Sequence, residues 1–427
     1  MDASLASDRP FPSSLATVST LAVAPPKSPH PAVWMVLYVP FGAFGGFVSV
    51  ALTFLATRHG LSITEGSLLN AAQLLTQWLK WLWAPIVDIT LTPKRWFVIA
   101  TTCSALAIVT MSSIPLGRET LPLLLGVIAV GSLINSIVGM AIEAIMAKTT
   151  SPAEVGRVSA WFQAGNLGGA ALGGSLGLTL LETLPAPWMS GAILGSLFMA
   201  TCLVLRLLPD VASHENHGIG LAVRGVLKDL GHMLKTRGGV LAALLCALPV
   251  GTGAAQVVLT QANVAAYWGA SSTEVALVQG LFAGLVTAAG CFAGGWLCKR
   301  FHPRIAYATV GVGLAVVASA MALAPASVTT YVVFSLTYSF GVGIAYTAFT
   351  ATVLNSMGAG SAATKYTMFA SLSNFPIWWL GLLLGRVADT SGSPAMLHTE
   401  AALGVLGVLV FVGGTLLVRR SKLAEES

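Results

Sequence analysis

Apolar runs, most of them twenty residues or longer, follow one another along the chain with short polar breaks between them. They fall near 32–57, 64–87, 96–115, 120–147, 156–182 and 187–208, and again near 239–267, 273–298, 304–324, 328–357, 364–388 and 400–418. A helix rises about 1.5 Å per residue, so ~20 apolar residues cross the ~30 Å hydrocarbon layer of a bilayer. The pattern predicts an all-α membrane protein with twelve transmembrane helices in two six-helix halves. The expected parts are a tail at 1–31, a first half at 32–208, a polar linker at 209–238, a second half at 239–418 and a short tail at 419–427.

Composition supports the same class. Only 9% of the residues are charged, against roughly 25% in a soluble domain, while 55% are hydrophobic and the mean hydropathy is +0.81. So few charges cannot solvate a surface of this size, which excludes a water-soluble enzyme. The five cysteines, Cys103, Cys202, Cys246, Cys291 and Cys298, lie within or at the ends of the runs and lack the spacing of a disulfide framework or metal site. No metal and no cofactor are expected. The tail at 1–31 is rich in Ser, Pro and Ala, lacks the pattern of a signal peptide and is expected to be disordered.

The net charge of +6 is distributed unevenly. With a cytoplasmic N-terminus, eighteen Lys and Arg fall in cytoplasmic segments, three (Arg58, Arg118 and Arg386) fall outside, and Lys80 is left within a span. Cytoplasmic loops carry such an excess, so the basic residues imply the bilayer surface as partner rather than nucleic acid. In the linker, Val223, Val226, Leu227, Leu230, Met233 and Leu234 recur at helical spacing opposite Arg224, Lys228 and Lys235. That is the pattern of a basic amphipathic helix lying on the membrane.

Polar residues inside the runs are the candidates for chemistry. Asn70, Gln73, Gln77 and Lys80 are three, four and three apart and share one face of the second span. Placing a lysine mid-span costs about 2.5–3.5 kcal/mol on insertion scales, so Lys80 should face protein or water. On the fourth span Ser132, Asn135, Ser136, Gly139 and Glu143 form a second polar side, and Glu143 reads as the one carboxylate clearly inside a span. Lys80 and Glu143 lie at similar depth, which suits either a proton-coupling pair or a permanent salt bridge. Gln163 and Asn166 on span five, Gln256 and Gln261 on span seven, Tyr338 and Tyr346 on span ten, and Asn374 and Trp378 on span eleven supply amides and rings. Such groups hydrogen-bond and stack on a polar organic solute, and equally serve as interhelical contacts.

Gly173-Gly174-Ser175-Leu176-Gly177 matches the hydrolase elbow G-x-S-x-G, but it lies within an apolar helix with no strand before it. Gly165, Gly169, Gly173 and Gly177 instead form a four-residue stripe for close helix packing. Gly280, Gly284, Gly290 and Gly294 on span eight offer a possible partner surface. The halves also echo each other. At an offset of 208, Arg157, Trp161 and Asn166 fall on Lys365, Phe369 and Asn374, and internal repeats of this kind mark secondary transporters that bind solute between the halves.

Twelve spans, a central basic linker and a halved repeat resemble the major facilitator superfamily along nearly the whole chain. The loop after span two, Asp88 to Arg95, keeps the Asp and two cations of that superfamily's motif and lacks its glycine. The stripe on span five resembles an antiporter motif, with Ala170 where that motif has proline. Within the superfamily, Lys80-Trp81-Leu82-Trp83-Ala84-Pro85-Ile86-Val87-Asp88 is similar to the K-x-x-W-A-P-x-x-D signature of the peptide, acetyl-CoA and drug transporter family. That family includes AmpG-type muropeptide permeases, acetyl-CoA transporters and some siderophore permeases. Ser151-Pro152-Ala153-Glu154-Val155-Gly156-Arg157 resembles its P-E-E-R-G segment, and Ala363-Thr364-Lys365-Tyr366, running on to Gly385-Arg386-Val387-Ala388-Asp389, its A-T-x-Y segment. The family's D-x-A-x-D-A reads here Gly139-Met140-Ala141-Ile142-Glu143-Ala144, so one carboxylate is kept and one is lost.

The resemblance implies a proton-coupled importer of a polar organic solute, a muropeptide-like sugar-peptide or another conjugated anion, in a bacterial inner membrane. Glu143 and Lys80 would carry coupling, the amides and rings would bind solute, and Asp88, Arg157 and Lys365 would form a cytoplasmic charge network. The chain is expected to act as a monomer driven by the proton gradient. A proton-driven exporter of drugs or siderophores fits the same pattern, as does a transporter-like receptor. From the charge count, a topology reporter fused at Gly225 is expected to report a cytoplasmic location; an external location there would refute the orientation.

Overall fold

The computed structural model describes residues 29–30, 32–83, 87, 90–149, 155–210, 224, 228, 231, 235–236, 240, 244, 247–356, 368–369 and 371–425. Among these there is no strand, and the helices cross one layer back and forth. Eight stretches are long and apolar enough to span a bilayer. They include α1 (Ala32–Arg58), α3 (Pro93–Ser113), α4 (Leu121–Thr149), α6 (Pro187–Val204), α8 (Ser272–Cys298), α9 (Pro303–Leu323) and α10 (Val328–Ser356). The eighth, Asn374–Leu416, is two crossings, α11 (374–391) and α12 (393–425), joined at Gly392, whose φ of 86° favours glycine. Three further crossings are shorter, more polar or broken: α2 (Ile63–Leu79), α5 (Val155–Thr183) and α7, the pair Ala254–Leu259 and Ala262–Ala265. Together they make twelve crossings among the described residues, consistent with the twelve expected.

Local chemistry sets the helix starts. Pro93, Pro187 and Pro303 stand at first helical positions, where the missing N–H costs nothing. Ser62 with Glu65, and Ser271 with Glu274, form reciprocal capping boxes at the starts of α2 and α8. Two expected boundaries differ from the observed ones. The seventh span is interrupted: Gly251 and Gly253 have φ of 61° and 72°, and Gln261 is extended between the two pieces of α7. The twelfth begins just after Gly392 rather than at 400, so Glu400 lies two turns inside a helix, and Glu143 is not the one intramembrane carboxylate.

One face of the molecule holds the short turns near 58–63, 113–121, 183–187, 268–272, 324–328 and 391–393. Ion pairs join these ends: Arg58 to Glu182, and Arg118 to Glu65 at 3.4 Å. The opposite face carries the ends near 32, 80, 149, 208 and 356. There Lys94 reaches the Leu208 carbonyl at 2.6 Å and Asp210 at 2.8 Å. Leu106, Val130, Leu203, Phe292 and Leu323 are largely exposed around the sides, an apolar girdle suited to lipid.

The glycine stripe of α5 packs on α1, not chiefly on α8 as the sequence suggested. A Cβ at Gly165, Gly169 or Gly173 would overlap the carbonyls of Met35, Val39 and Ala43, and one at Gly42 or Gly46 of α1 would strike the α5 backbone in return. Gly280 and Gly284 do approach α5, but on its other side at Ser175, Ala171 and Leu167. Gly290 and Gly294 serve α10, against Phe340 and Ile344. Backbone meets backbone at α1 and α5, so dispersion contacts are dense where lipid-facing side chains would hold the helices apart. Gly173→Ala is therefore expected to cost about 1–3 kcal/mol through overpacking. Gly168→Ala, where nothing lies within 4 Å, should be neutral or gain up to about 1 kcal/mol of helix propensity. Thermal unfolding of the two purified variants checks the contrast.

Candidate functional site

The polar face of α2 meets the polar side of α4. Thr76 Oγ1 donates to Ser132 Oγ at 2.7 Å, Gln77 Nε2 reaches the same hydroxyl at 3.2 Å, and Ser132 Oγ donates to the Gln73 carbonyl at 2.9 Å. Gln77 is thus held in the helix seam. A 3₁₀ turn, Lys80–Leu82, follows α2, and Trp83 Nε1 donates to Ser136 Oγ at 2.9 Å. This bond pins the end of α2 to α4 and orients Lys80.

The charges then converge as their depth suggested. Lys80 Nζ lies 3.9 Å from Glu143 Oε1, with the lysine side chain 9% exposed and the glutamate 26%. Tyr38 of α1 donates to the same Oε1 at 2.9 Å, and its ring lies against Phe162 and Phe41, centroids 3.7 and 4.8 Å away. Three helices therefore hold one carboxylate. A hydrogen-bonded ion pair of this type closes to about 2.7–2.9 Å. At 3.9 Å the two charges attract without being locked, and the phenol supplies the short bond.

Other candidate residues divide into several groups. Asn70 is buried on α2. Gln73 Oε1 and Asn135 Oδ1 are buried acceptors without a partner, while Asn135 Nδ2 donates to the Phe41 carbonyl at 3.1 Å. Asn166 and Asn374 are half-buried in α5 and α11. Trp378 joins Trp78 and Phe375 in an aromatic group across α2 and α11, with centroids 5.4–6.3 Å apart. Tyr346 is 45% exposed and lines a pocket of about 40 Å³ with Val250, Thr252, Tyr307, Phe349 and Ser373. Gln256 Nε2 donates to Ser339 Oγ at 2.6 Å, and Tyr338 donates to Glu400 Oε1 at 2.5 Å. Asp88 and Lys365 lie outside the described residues, as do the side chains of Arg157 and Gln163.

Gln261 has a different setting. Its Nε2 donates to Ser67 Oγ of α2 at 2.9 Å, within a set of bonds that seals the two halves at the turn face. Thr57 Oγ1 accepts from the Ala262 N–H at 2.7 Å, and Thr260 Oγ1 donates to the Ser49 carbonyl at 2.9 Å. Asp389 of α11 accepts from the Ile63 and Thr64 N–H groups at 2.8 and 2.6 Å, so its carboxylate caps the start of α2. Near the opposite face, Ser371 Oγ donates to the Gln77 carbonyl at 2.9 Å. The α2–α11 seam therefore holds along much of its length, and the turn face is closed.

Sequence reasoning missed Tyr38, Glu400, Thr57 and Asp389 as site residues. Tyr38 sits in an apolar run, and nothing in the spacing linked it to Glu143. Gly392-Ser393-Pro394, a helix stop followed by a start, was the signal that could have placed Glu400 inside a span.

Known proteins bear out this architecture. The chain is similar in structure to a D-xylose–proton symporter, with a TM-score of 0.65 and 14% identity over 89% of this chain and 95% of that one. It is similar to the nucleoside transporter NupG, with a TM-score of 0.63 and 14% identity over 90% and 98%. It also resembles a POT family transporter solved with a thioalcohol-conjugated peptide, with a TM-score of 0.71 and 11% identity over 91% and 96%. At these identities the likeness is one of fold. The family model of the Major Facilitator Superfamily matches residues 33–377, and the chain belongs to that superfamily of membrane transporters.

Proposed function

We propose that this transporter imports a polar organic solute together with protons across a bacterial inner membrane, by alternating access between its halves. The N-terminus, the linker and the C-terminal end of α12 lie in the cytoplasm in this reading, as the distribution of Lys and Arg favours. The observation that carries the proposal is the group Tyr38–Glu143–Lys80. A carboxylate a quarter exposed, a cation 3.9 Å away and a phenol at 2.9 Å form a pair that can part when the acid takes up a proton. Attraction between the charges is much stronger in such a poorly solvated place than in water. Protonation of Glu143 releases Lys80 to an anionic group of the solute; loss of the proton to the cytoplasm restores the pair and expels the solute.

The surroundings fit a solute rich in hydrogen-bonding groups. About two turns along α2 and α4 from Lys80 and Glu143, Gln73 and Asn135 keep buried acceptor oxygens unpaired, and Trp78, Phe375 and Trp378 offer ring faces. Two of the similar structures are a D-xylose–proton symporter and a transporter holding a conjugated peptide. A sugar-peptide of muropeptide type, or another conjugated anion, joins both kinds of group and meets the charge of Lys80.

Glu143→Gln tests the reading, because it imitates the protonated acid while keeping its shape. In proteoliposomes, exchange of a radiolabelled muropeptide is expected to persist while accumulation driven by a pH gradient falls to the equilibrium level. A structural bridge would instead cost about 3–5 kcal/mol of stability when broken and leave accumulation per folded molecule unchanged. Normal gradient-driven accumulation by folded Glu143→Gln would overturn the proposal.

A further inference from the structure

Glu400 takes no part in the arrangement above, and its surroundings are unusual for a carboxylate. It sits on α12, eight residues beyond Gly392, or about 12 Å of helix rise from that end; Tyr338 lies ten residues into α10, at a comparable depth. Both are therefore well inside the ~30 Å apolar layer. Glu400 is 7% exposed and Tyr338 is 2% exposed. The Tyr338 hydroxyl donates to Oε1 at 2.5 Å, while Oε2 is buried and has no partner. On α10, one turn from Tyr338, the Ser335 hydroxyl is also buried without one.

Titratable and charged groups near this carboxylate can be followed helix by helix among the described residues. The two pieces of α7 carry none, α9 has only Arg304 and Tyr307 at its far end, and α10 has Tyr331, Tyr338 and Tyr346. On α12 itself His398 is exposed, some 200° around the helix from Glu400. Asp389 and Arg386 belong to α11, where Asp389 is engaged by α2 and Arg386 is exposed. No Lys, Arg or His among the described residues forms an ion pair with Glu400. An ionised carboxylate so buried, with one oxygen bare and no counter-charge, is strongly disfavoured against the neutral acid.

We propose that Glu400, held by Tyr338, is a second proton-binding site of this transporter, located in its C-terminal half and separate from the Lys80–Glu143 pair. Its ligand is the proton. The proton adds to the bare Oε2 while the Tyr338 O–H stays on Oε1, so one oxygen is anchored and the other exchanges. A hard metal cation takes about six oxygen ligands, whereas among the described residues the group hydrogen-bonded to this carboxylate is the Tyr338 phenol. The site also has a mechanical neighbour. Ser339, next to Tyr338, accepts the bond from Gln256 on the first piece of α7. The second piece of α7 carries Ala262, whose N–H is bonded by Thr57 of the other half. A change of charge at Glu400 thus acts on the helix that closes the turn face.

The test needs no solute and so does not depend on the import reading. Infrared spectra of the purified full-length protein in lipid at neutral pH are compared with those of Glu400→Gln. The difference is expected to contain the C=O stretch of one buried, protonated carboxylic acid, fading as the pH is raised. In Tyr338→Phe that band should move to higher frequency, because the carbonyl has lost its donor. No acid band in the Glu400→Gln difference at neutral or mildly acidic pH would overturn the proposal. So would a band that sodium chloride, unlike choline chloride, abolishes at constant pH, since that marks a cation site. If Glu400→Gln does not fold, Tyr338→Phe decides alone: an unshifted acid band refutes the assignment.

Discussion

Inside a bilayer no water stands ready to satisfy a polar group, so each such group must find its partner within the protein. The polar architecture of this transporter follows from that constraint. Ser132 joins Thr76, Gln77 and the Gln73 backbone because their helices face each other where no solvent intervenes. Glu143 draws groups from α1 and α2 for the same reason. The exceptions are informative. Gln73 Oε1, Asn135 Oδ1, Ser335 Oγ and Glu400 Oε2 are among those that stay unpaired, and the first two lie on the same helices as the charges of the N-terminal half.

The helices were legible because apolar length is a strong signal, and the Lys80–Glu143 encounter because both charges stand at matching depth on polar faces. The path by which Tyr38 reaches Glu143 was not legible, since 105 residues separate them and helix packing alone brings α1 beside α4. The glycine stripe was recognised, but its partner was misjudged for a physical reason. On α1 the stripe meets the carbonyls of Met35, Val39 and Ala43, while Gly42 and Gly46 of α1 sit against the α5 backbone in return, so the glycines that matter for the pairing lie in the first span rather than the eighth. Glu400 was hidden by counting the last span from its most apolar stretch, although the chain turns at Gly392 and the helix begins there.

The two halves also differ in how they treat charge. The N-terminal pair combines opposite charges with partial exposure, whereas Glu400 faces a phenol in a closed setting. The repeat seen at Arg157–Asn166 and Lys365–Asn374 does not extend to environment, for Trp161 is exposed and Phe369 fully buried. Two helical halves of similar layout thus carry different chemistry, and the broken α7 sits where they meet.

The mutual capping at the turn face has a kinetic consequence. Asp389 completes the first turn of α2, and Thr57 completes the second piece of α7, so each half finishes a helix belonging to the other. Separating the halves would strip both helix ends of their partners at once, leaving N–H groups that must find new acceptors. Water must therefore reach those ends as the halves part. Any parting of the halves at this face would then be a wetting event, with a rate that depends on how readily water takes over the N–H groups that Asp389 and Thr57 now hold. Solutes that alter water activity should change that rate even when they touch neither half.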